Sequence, residues 1–170
     1  MLVDFFAYAG DCTVSGRIDL AAGRLSDRLD RAEDVVIHGA RLHGFVDEPV
    51  AQVEKLRLGR EDLFAVEATD VSGGDGRRIH TVRHLVRFLC GRYRFIGELH
   101  TLPGAPPLQA VMARRSMVPL TNAVAFFDRD GSAEVRRVAV LIVNGRRIER
   151  AELIGLDDPE LHRLALGGGR

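Results

Sequence analysis

The chain has 170 residues, 46% of them hydrophobic and 28% charged, so it can form one ordinary domain or two small ones that share a core. No window approaches the roughly 18 apolar residues of a membrane span, and the N-terminus, with an early acid and no basic region, does not resemble a signal peptide. The two cysteines, Cys12 and Cys90, exclude a disulfide framework and have no metal-binding spacing, which predicts a reduced, cytoplasmic protein.

The net charge of zero hides an asymmetry between the two parts of the chain. Residues 1–70 carry 14 acidic and 8 basic side chains, a net charge of −6, whereas residues 71–170 carry 10 acidic and 16 basic ones, a net charge of +6. Such a split can steer one half of a chain onto the other, or one copy of the protein onto another.

Residues 1–70 are predicted to form a β-rich unit with one short helix. Residues 2–9 and 12–20 read as a hairpin around Gly10, and residues 26–34 read as about two helical turns. Strand candidates follow from residue 35, at 51–58 and at 62–68. The tight segment Leu58-Gly59-Arg60 predicts a hairpin between the last two of these strands.

The order of these features returns after a glycine-rich linker, which we place at residues 71–82. The offset between matching positions grows only at loops, from 81 to 83 and then 85 residues, and the matches include Gly10 with Gly91, Gly16 with Gly97, Ile37 with Leu120, and Glu67 with Glu152. Preserved turn glycines and apolar positions are typical of a duplicated fold. The prediction is a mainly β protein of two tandem pseudo-symmetric lobes, at residues 1–70 and 83–155. Each lobe is a small β-barrel or sheet of two strands, a short helix and three strands, and the lobes pack through apolar strands such as residues 138–143.

Residues 80–94 are ambiguous when they are read alone. Their apolar residues form a helical stripe opposite a basic face, which is typical of a helix on a membrane surface or on nucleic acid. The repeat instead makes this segment the counterpart of the strand at residues 2–9, and we favour the strand. His80 and His84 would suit a metal only on a helix, so no metal site is predicted.

Two turns and a terminal helix are also predicted in the second half. Asp128 and Asp130 with Gly131 resemble part of a calcium loop, but between β-rich runs they favour a two-residue hairpin turn. Asn144-Gly145-Arg146 predicts a type I′ hairpin, and residues 156–170 a short helix that Asp158 caps, followed by a tail.

The stretch Gly16 to Asp30 resembles a small bacterial domain family with the signature G-x-L/I…G-G-R-L-S-D-x-L-N, here with Asp30 in place of the asparagine. The second copy keeps Gly97, Leu99 and Gly104 but has lost the R-L-S-D residues, while its segment 119–123 is similar to the family's P-L-T-D-A element. The resemblance implies a fold and no catalytic activity. The implied topology is also similar to a small barrel of the Sm or SH3 type, which carries no function.

Arg24, Ser26 and Asp27 form a polar cluster at the start of the first predicted helix. A functional interpretation makes the cluster a contact for an anion or a partner at the helix N-terminus. A structural interpretation makes Ser26 or Asp27 the helix cap, and we favour it because the second copy has lost these residues.

A basic run between residues 77 and 115 is the strongest candidate for a binding surface, since it contains a single acid, Glu98. The possible partner or nucleic-acid contacts are Arg77, Arg78, Arg83, Arg87, Arg92, Tyr93, Arg94, Arg114 and Arg115. They could track a phosphate backbone with aromatic stacking, or they could face the acidic half within a chain or between chains.

The sequence therefore predicts a non-enzymatic interaction, regulatory or assembly module. It would need no cofactor or membrane, and it would associate with itself or with another protein through strand edges or the charge split. One alternative is a single-stranded nucleic-acid binder that uses residues 77–115. Another is an enzyme with a polar site between the lobes, near Asp27, His38 or His100.

Overall fold

The computed structural model describes residues 2–20, 25–46, 50–68, 80–114 and 116–166, which form one antiparallel sheet of ten strands with three short helices. The first half contains β1 (Leu2–Ala9), β2 (Cys12–Asp19), α1 (Leu25–Arg31), β3 (Asp34–Gly44), β4 (Ala51–Gly59) and β5 (Leu63–Glu67). The second half contains β6 (Val82–Cys90), β7 (Tyr93–Thr101), α2 (Pro107–Arg114), β8 (Met117–Arg129), β9 (Ser132–Asn144), β10 (Arg150–Leu153) and α3 (Pro159–Leu166). The predicted mainly β fold is confirmed. None of the helices in these ranges has the length and apolar character needed to cross a membrane.

The sheet has the strand order β10-β6-β7-β8-β9-β5-β1-β2-β3-β4, so both halves follow the same order along the sheet. β5 and β9 join the halves edge to edge, with Ala65 opposite Val143 and Glu67 opposite Leu141. The halves are therefore parts of one continuous sheet, and their junction falls within the apolar stretch 138–143. The duplication itself stays a prediction.

Gly16 and Gly97 each lie where the pairing register of a strand shifts. A Cβ atom on Gly16 would lie 2.5 Å from Cγ2 of Ile37, and one on Gly97 would lie 3.0 Å from Cβ of Leu120. Only glycine allows the neighbouring strand to approach this closely.

The two halves bury a joint hydrophobic core. One buried cluster lies mainly in the second half but includes Tyr8, Phe45 and Ala65 of the first. The other lies mainly in the first half but includes Met117 and Ile142 of the second. The Tyr8 ring shows the mixing directly, because its centroid lies 5.4 Å from that of Tyr93 and 5.5 Å from that of Phe95. These edge-to-face contacts bind the halves together.

Residues 82–90 form a strand, β6, as the repeat predicts. Val86, Phe88 and Cys90 are fully buried on one face, so the period of two outweighs the helical stripe. The opposite face carries Arg87 and Leu89, which are partly buried.

Two predicted hairpins are wrong. Gly59 has extended backbone (φ −66°) and leads into a 3₁₀ turn at Arg60–Asp62, after which β5 pairs with β1 and β9 instead of β4. Asn144 has φ −74°, whereas a type I′ turn needs a positive φ, and a 3₁₀ turn at Gly145–Arg147 follows it. β5 takes a central place because its residues Leu63, Ala65 and Val66 are all fully buried, which an edge position would not allow.

The turn between β8 and β9 and the terminal helix are confirmed. Asp130 (φ 50°) and Gly131 (φ 73°) form the two-residue turn, and the Asp128 carboxylate accepts the Gly131 N–H at 2.9 Å. Asp158 precedes α3 and accepts the Glu160 N–H at 3.0 Å, as a helix cap does.

Candidate interaction surfaces

Arg87 is the centre of an ion-pair cluster on the outer face of the second half. Its guanidinium lies 2.7 Å from Asp158 Oδ1, 3.0 Å from Glu160 Oε2 and 3.1 Å from Glu152 Oε2. The Arg87 side chain is 17% exposed. Burial alone would lower the pKa of Arg87, but the hydrogen bonds to Asp158 and Glu152 outweigh burial and raise it. Arg87 thus stays charged and holds three carboxylates.

The same cluster attaches α3 to the sheet. Glu160 also lies 3.1 Å from Arg94 Nη2, so the start of α3 is bound to both β6 and β7. Although partial burial opposes its ionisation, hydrogen bonds from the Glu160 N–H and from Arg87 lower the pKa of Asp158. Between α3 and the sheet lies a cavity of about 610 Å³, whose lining combines these charges with Phe126 and Val135.

The remaining residues of the predicted basic run lie in different environments. Arg83 lies 3.6 Å from Glu98, and Arg92 stacks 4.0 Å from the ring centroid of Phe45. Tyr93 is fully buried, and its hydroxyl donates to the carbonyl of Ala9. Arg77, Arg78 and Arg115 lie outside the described residues, as does the side chain of Arg114.

The acid partners of Arg83, Arg87 and Arg94 all come from the second half of the chain. The charge split therefore does not place these three arginines against the acidic first half of their own chain. In the described ranges, the halves are joined instead by the ion pair of Glu67 with Arg136, at 2.9 Å, and Glu67 is also the acceptor of the Tyr8 hydroxyl at 2.7 Å. Sequence reasoning missed this pair, whose only signal is an acid in the buried strand β5.

Ser26 and Asp27 lie inside the first turn of α1, which begins at Leu25, so neither residue is the cap in front of the helix. Arg24 lies outside the described residues. The polar residue that anchors this helix is Asp30, whose Oδ1 accepts the N–H of Met117 at 2.9 Å. α1 is therefore attached to β8 of the other half.

Histidines and cysteines form no cluster suited to a metal in the part of the chain that the structure describes. His84 bonds to Thr101 at 3.0 Å and His100 to Thr121 at 2.7 Å, and both are contacts between neighbouring strands. The Cys90 thiol is fully buried, and burial raises its pKa to about 12, so it is a poor nucleophile.

A polar groove of about 850 Å³ lies at the junction of the halves. Five arginines line it, namely Arg31, Arg57, Arg60, Arg146 and Arg147. The sequence did not indicate this group, because its members are spread over 117 positions, from residue 31 to residue 147, and lie outside the basic run.

The sheet ends in two strands that have one partner each among the described residues, β4 beside β3 and β10 beside β6. β4 is exposed along most of its length, with Val53 38% exposed, and Leu153 at the end of β10 is 53% exposed. Edge strands present unpaired main-chain N–H and C=O groups to a possible partner.

No family model matches the chain, and neither the curated proteins nor the solved structures contain a significant match to it.

Proposed function

We propose that this protein is a non-enzymatic assembly module whose copies join head to tail, with β10 of one copy beside β4 of the next. The observation that supports this function is the β5–β9 junction inside the chain. β10 and β4 occupy the same places in their halves as β5 and β9, and both are sheet edges. A contact of this kind between unlike surfaces forms a closed ring or a filament.

Strand registers define which residues would meet between copies. The sequence offsets carry strand pairs of one half onto those of the other. In the β5–β1 pair Glu67 faces Phe6, and adding 85 and 81 to these positions gives Glu152 and Arg87, which face each other in the β10–β6 pair. In the β4–β3 pair Leu56 faces Ile37, and adding the offsets of 85 and 83 gives Leu141 and Leu120, which face each other in the β9–β8 pair. The β5–β9 register becomes a register between copies when 85 is added to each β5 position and subtracted from each β9 position. It then places Arg150 opposite Leu58, Ala151 opposite Arg57, and Glu152 opposite Leu56 of the next copy.

Both edges have the properties of a pairing surface. β4 contains no proline and carries the exposed Val53, while Leu153 is exposed on β10. The charges on β4 are of both signs, Glu54 with Lys55 and Arg57, so no uniform charge repels a second strand. Pairing would satisfy the free main-chain groups of both edges and cover the apolar side chains.

Light scattering at increasing protein concentration tests the proposal. We expect the mass to rise above the 18.7 kDa of one chain, because assembly follows mass action. Val53→Lys or Leu153→Lys should return the protein to monomers, since each puts a charge in place of an exposed apolar side chain that pairing would cover. The matched control is Leu102→Lys, because Leu102 is 59% exposed but lies after the end of β7, outside the strands.

A crosslinking experiment tests the register. When Arg57→Cys protein is mixed with Ala151→Cys protein and oxidised, a disulfide between the two variants should form in preference to one between like chains, because paired strand residues have the spacing that a disulfide needs. A strict monomer at every concentration, or oligomers that neither edge substitution changes, would contradict the proposal. The nucleic-acid and enzyme alternatives stay predictions; the cavity beside α3 and the polar groove have no Asp27, His38 or His100 among their described lining residues.

A further inference from the structure

The groove at the junction of the halves has an excess of positive charge. Its five arginines face three acids, Glu33, Asp34 and Glu61, so its lining has a net charge of +2. Residues 31–34 and 57–61 of the first half line one part of it, and residues 144–147 of the second half line the other. A ligand in the groove would therefore contact both halves of the sheet.

Two of these arginines have no ion-pair partner within 4 Å in the described ranges. Arg31 lies in the last turn of α1 and Arg146 in the 3₁₀ turn after β9, and both are exposed. By contrast, Arg57 lies 3.3 Å from Asp34, and Arg147 donates to the carbonyl oxygen of Glu61. The free guanidinium groups of Arg31 and Arg146 offer paired donors with the geometry that a phosphate accepts.

Arg60 adds a positive charge that is less exposed to water. Its side chain is 17% exposed, and its Nη1 donates to the carbonyl of Asp30 at 2.7 Å. Its Nε is buried and has no acceptor in the described part of the chain. Nε is therefore out of reach of a ligand in the groove, and Arg60 contributes positive charge, part of which Asp30 Oδ1 balances at 3.7 Å from Nη2.

We propose that this groove binds a small molecule with a chain of two or more phosphates, held by Arg31 from the first half and Arg146 from the second. Its volume of about 850 Å³ lies within the usual range for small-ligand sites. The three acids along its lining make it unsuited to a long nucleic-acid strand, which binds along a continuous basic track.

Calorimetric titration with inorganic tripolyphosphate, and separately with ADP, tests this site. We expect one ligand per chain and an affinity that falls at least about tenfold in Arg31→Gln or Arg146→Gln, because each removes a charged contact with phosphate. Arg41→Gln is the control: Arg41 is exposed on β3 outside the groove, and the substitution makes the same charge change. Circular dichroism verifies that each variant is folded.

Equal affinity for the two probes would show recognition of the phosphate chain alone, and tighter binding of ADP would show that the nucleoside contributes; either result supports the site. Absence of binding, or equal weakening by Arg41→Gln, would overturn it. Tighter binding of a single-stranded RNA 12-mer than of either probe, lost in the same variants, would also overturn it in favour of a nucleic-acid surface. The binding site requires no self-association, so its failure would leave the assembly proposal intact, and the reverse also holds.

Discussion

Asn144 connects the two halves at their junction. Its side chain is fully buried, donates to the carbonyls of Arg60 and Leu63 at 3.0 and 2.9 Å, and accepts the N–H of Arg146 at 3.1 Å. One amide group therefore connects the 3₁₀ turn of the first half with that of the second. Buried polar side chains of this kind define a unique packing because any other arrangement leaves them unpaired.

Replacing Asn144 with alanine should lower the free energy of unfolding by about 2–4 kcal/mol, because two buried carbonyls lose their donor. Urea denaturation followed by circular dichroism measures the change. Gln52→Ala on the exposed strand β4 is the control and should stay within about 0.5 kcal/mol of the original protein. A change as small for Asn144→Ala would mean that the two 3₁₀ turns are held together by other contacts.

Glu67 is the second residue that joins the halves. It is 7% exposed and binds the Tyr8 hydroxyl and the Arg136 guanidinium, which also lies 4.0 Å from the Phe6 ring centroid. The hydrogen bonds from Arg136 and Tyr8 satisfy the carboxylate, so its burial does not leave an unpaired charge. Burial, together with the hydrogen bond to Glu67, raises the pKa of Tyr8.

At the scale of elements, ion pairs attach the start of α3 to the sheet. Asp158 and Glu160 bind Arg87, and Glu160 also binds Arg94, whereas the adjoining cavity leaves part of the sheet face below the helix uncovered. An attachment through ion pairs is sensitive to pH and to the loss of one partner. Because the pKa of Asp158 is lowered in the folded state, its contribution to stability is present above the ordinary carboxyl pKa and is lost as the pH falls through the lower folded value.

Arg87→Ala should release α3, because it leaves Glu152, Asp158 and Glu160 close together, with Arg94 bound only to Glu160 and no arginine bound to Asp158. We expect a loss of about 1–3 kcal/mol in the free energy of unfolding and faster hydrogen exchange within residues 159–166. Arg150→Ala is the control, because Arg150 also binds Glu152, at 2.7 Å, but its side chain is 69% exposed. If exchange in α3 were the same in both variants, α3 would not depend on Arg87.

At the scale of the whole molecule, the halves share their core and should unfold together. Tyr8 of β1 packs among Tyr93, Phe95 and Phe127, while Met117 of β8 lies in the cluster of the first half. Separating the halves would expose both clusters. A single cooperative transition is therefore expected for the complete chain.

The free energy of unfolding should fall at alkaline pH, because the shared core buries groups that ionise there. Burial raises the pKa values of Tyr8 and Tyr93 above the ordinary value of 10.0, and that of Cys90 from 9.0 to about 12. These groups favour the folded state when protonated, so their contribution is complete below about pH 8 and is lost at higher pH as the same groups ionise in the unfolded chain. We expect the free energy of unfolding to fall by about 2–4 kcal/mol between pH 8 and about pH 10.5, measured by urea denaturation.

Cys90→Ala separates this effect from general charge repulsion. The variant should be less stable at pH 7, because of the cavity, but its stability should decrease less steeply with pH. An unchanged pH dependence would exclude ionisation of Cys90 as a cause.

The sequence alone determined most of the local structure. Alternation of apolar residues predicts the strand at 12–20, the Asp130-Gly131 pair predicts its hairpin because both residues tolerate a positive φ, and Asp158 predicts the cap of the last helix. These features depend on neighbouring residues, whose steric preferences act wherever the segment lies.

Tertiary structure alone decided how the strands pair and where the charges meet. Gly59 and Asn144 look like hairpin residues, but β5 and β10 are drawn to β1 and β6, because apolar burial across the sheet exceeds any turn preference. Long arginine side chains bind whichever partner the fold brings near, so Arg87 binds carboxylates about 65 to 73 positions away. The polar groove with its five arginines forms only where the two halves meet.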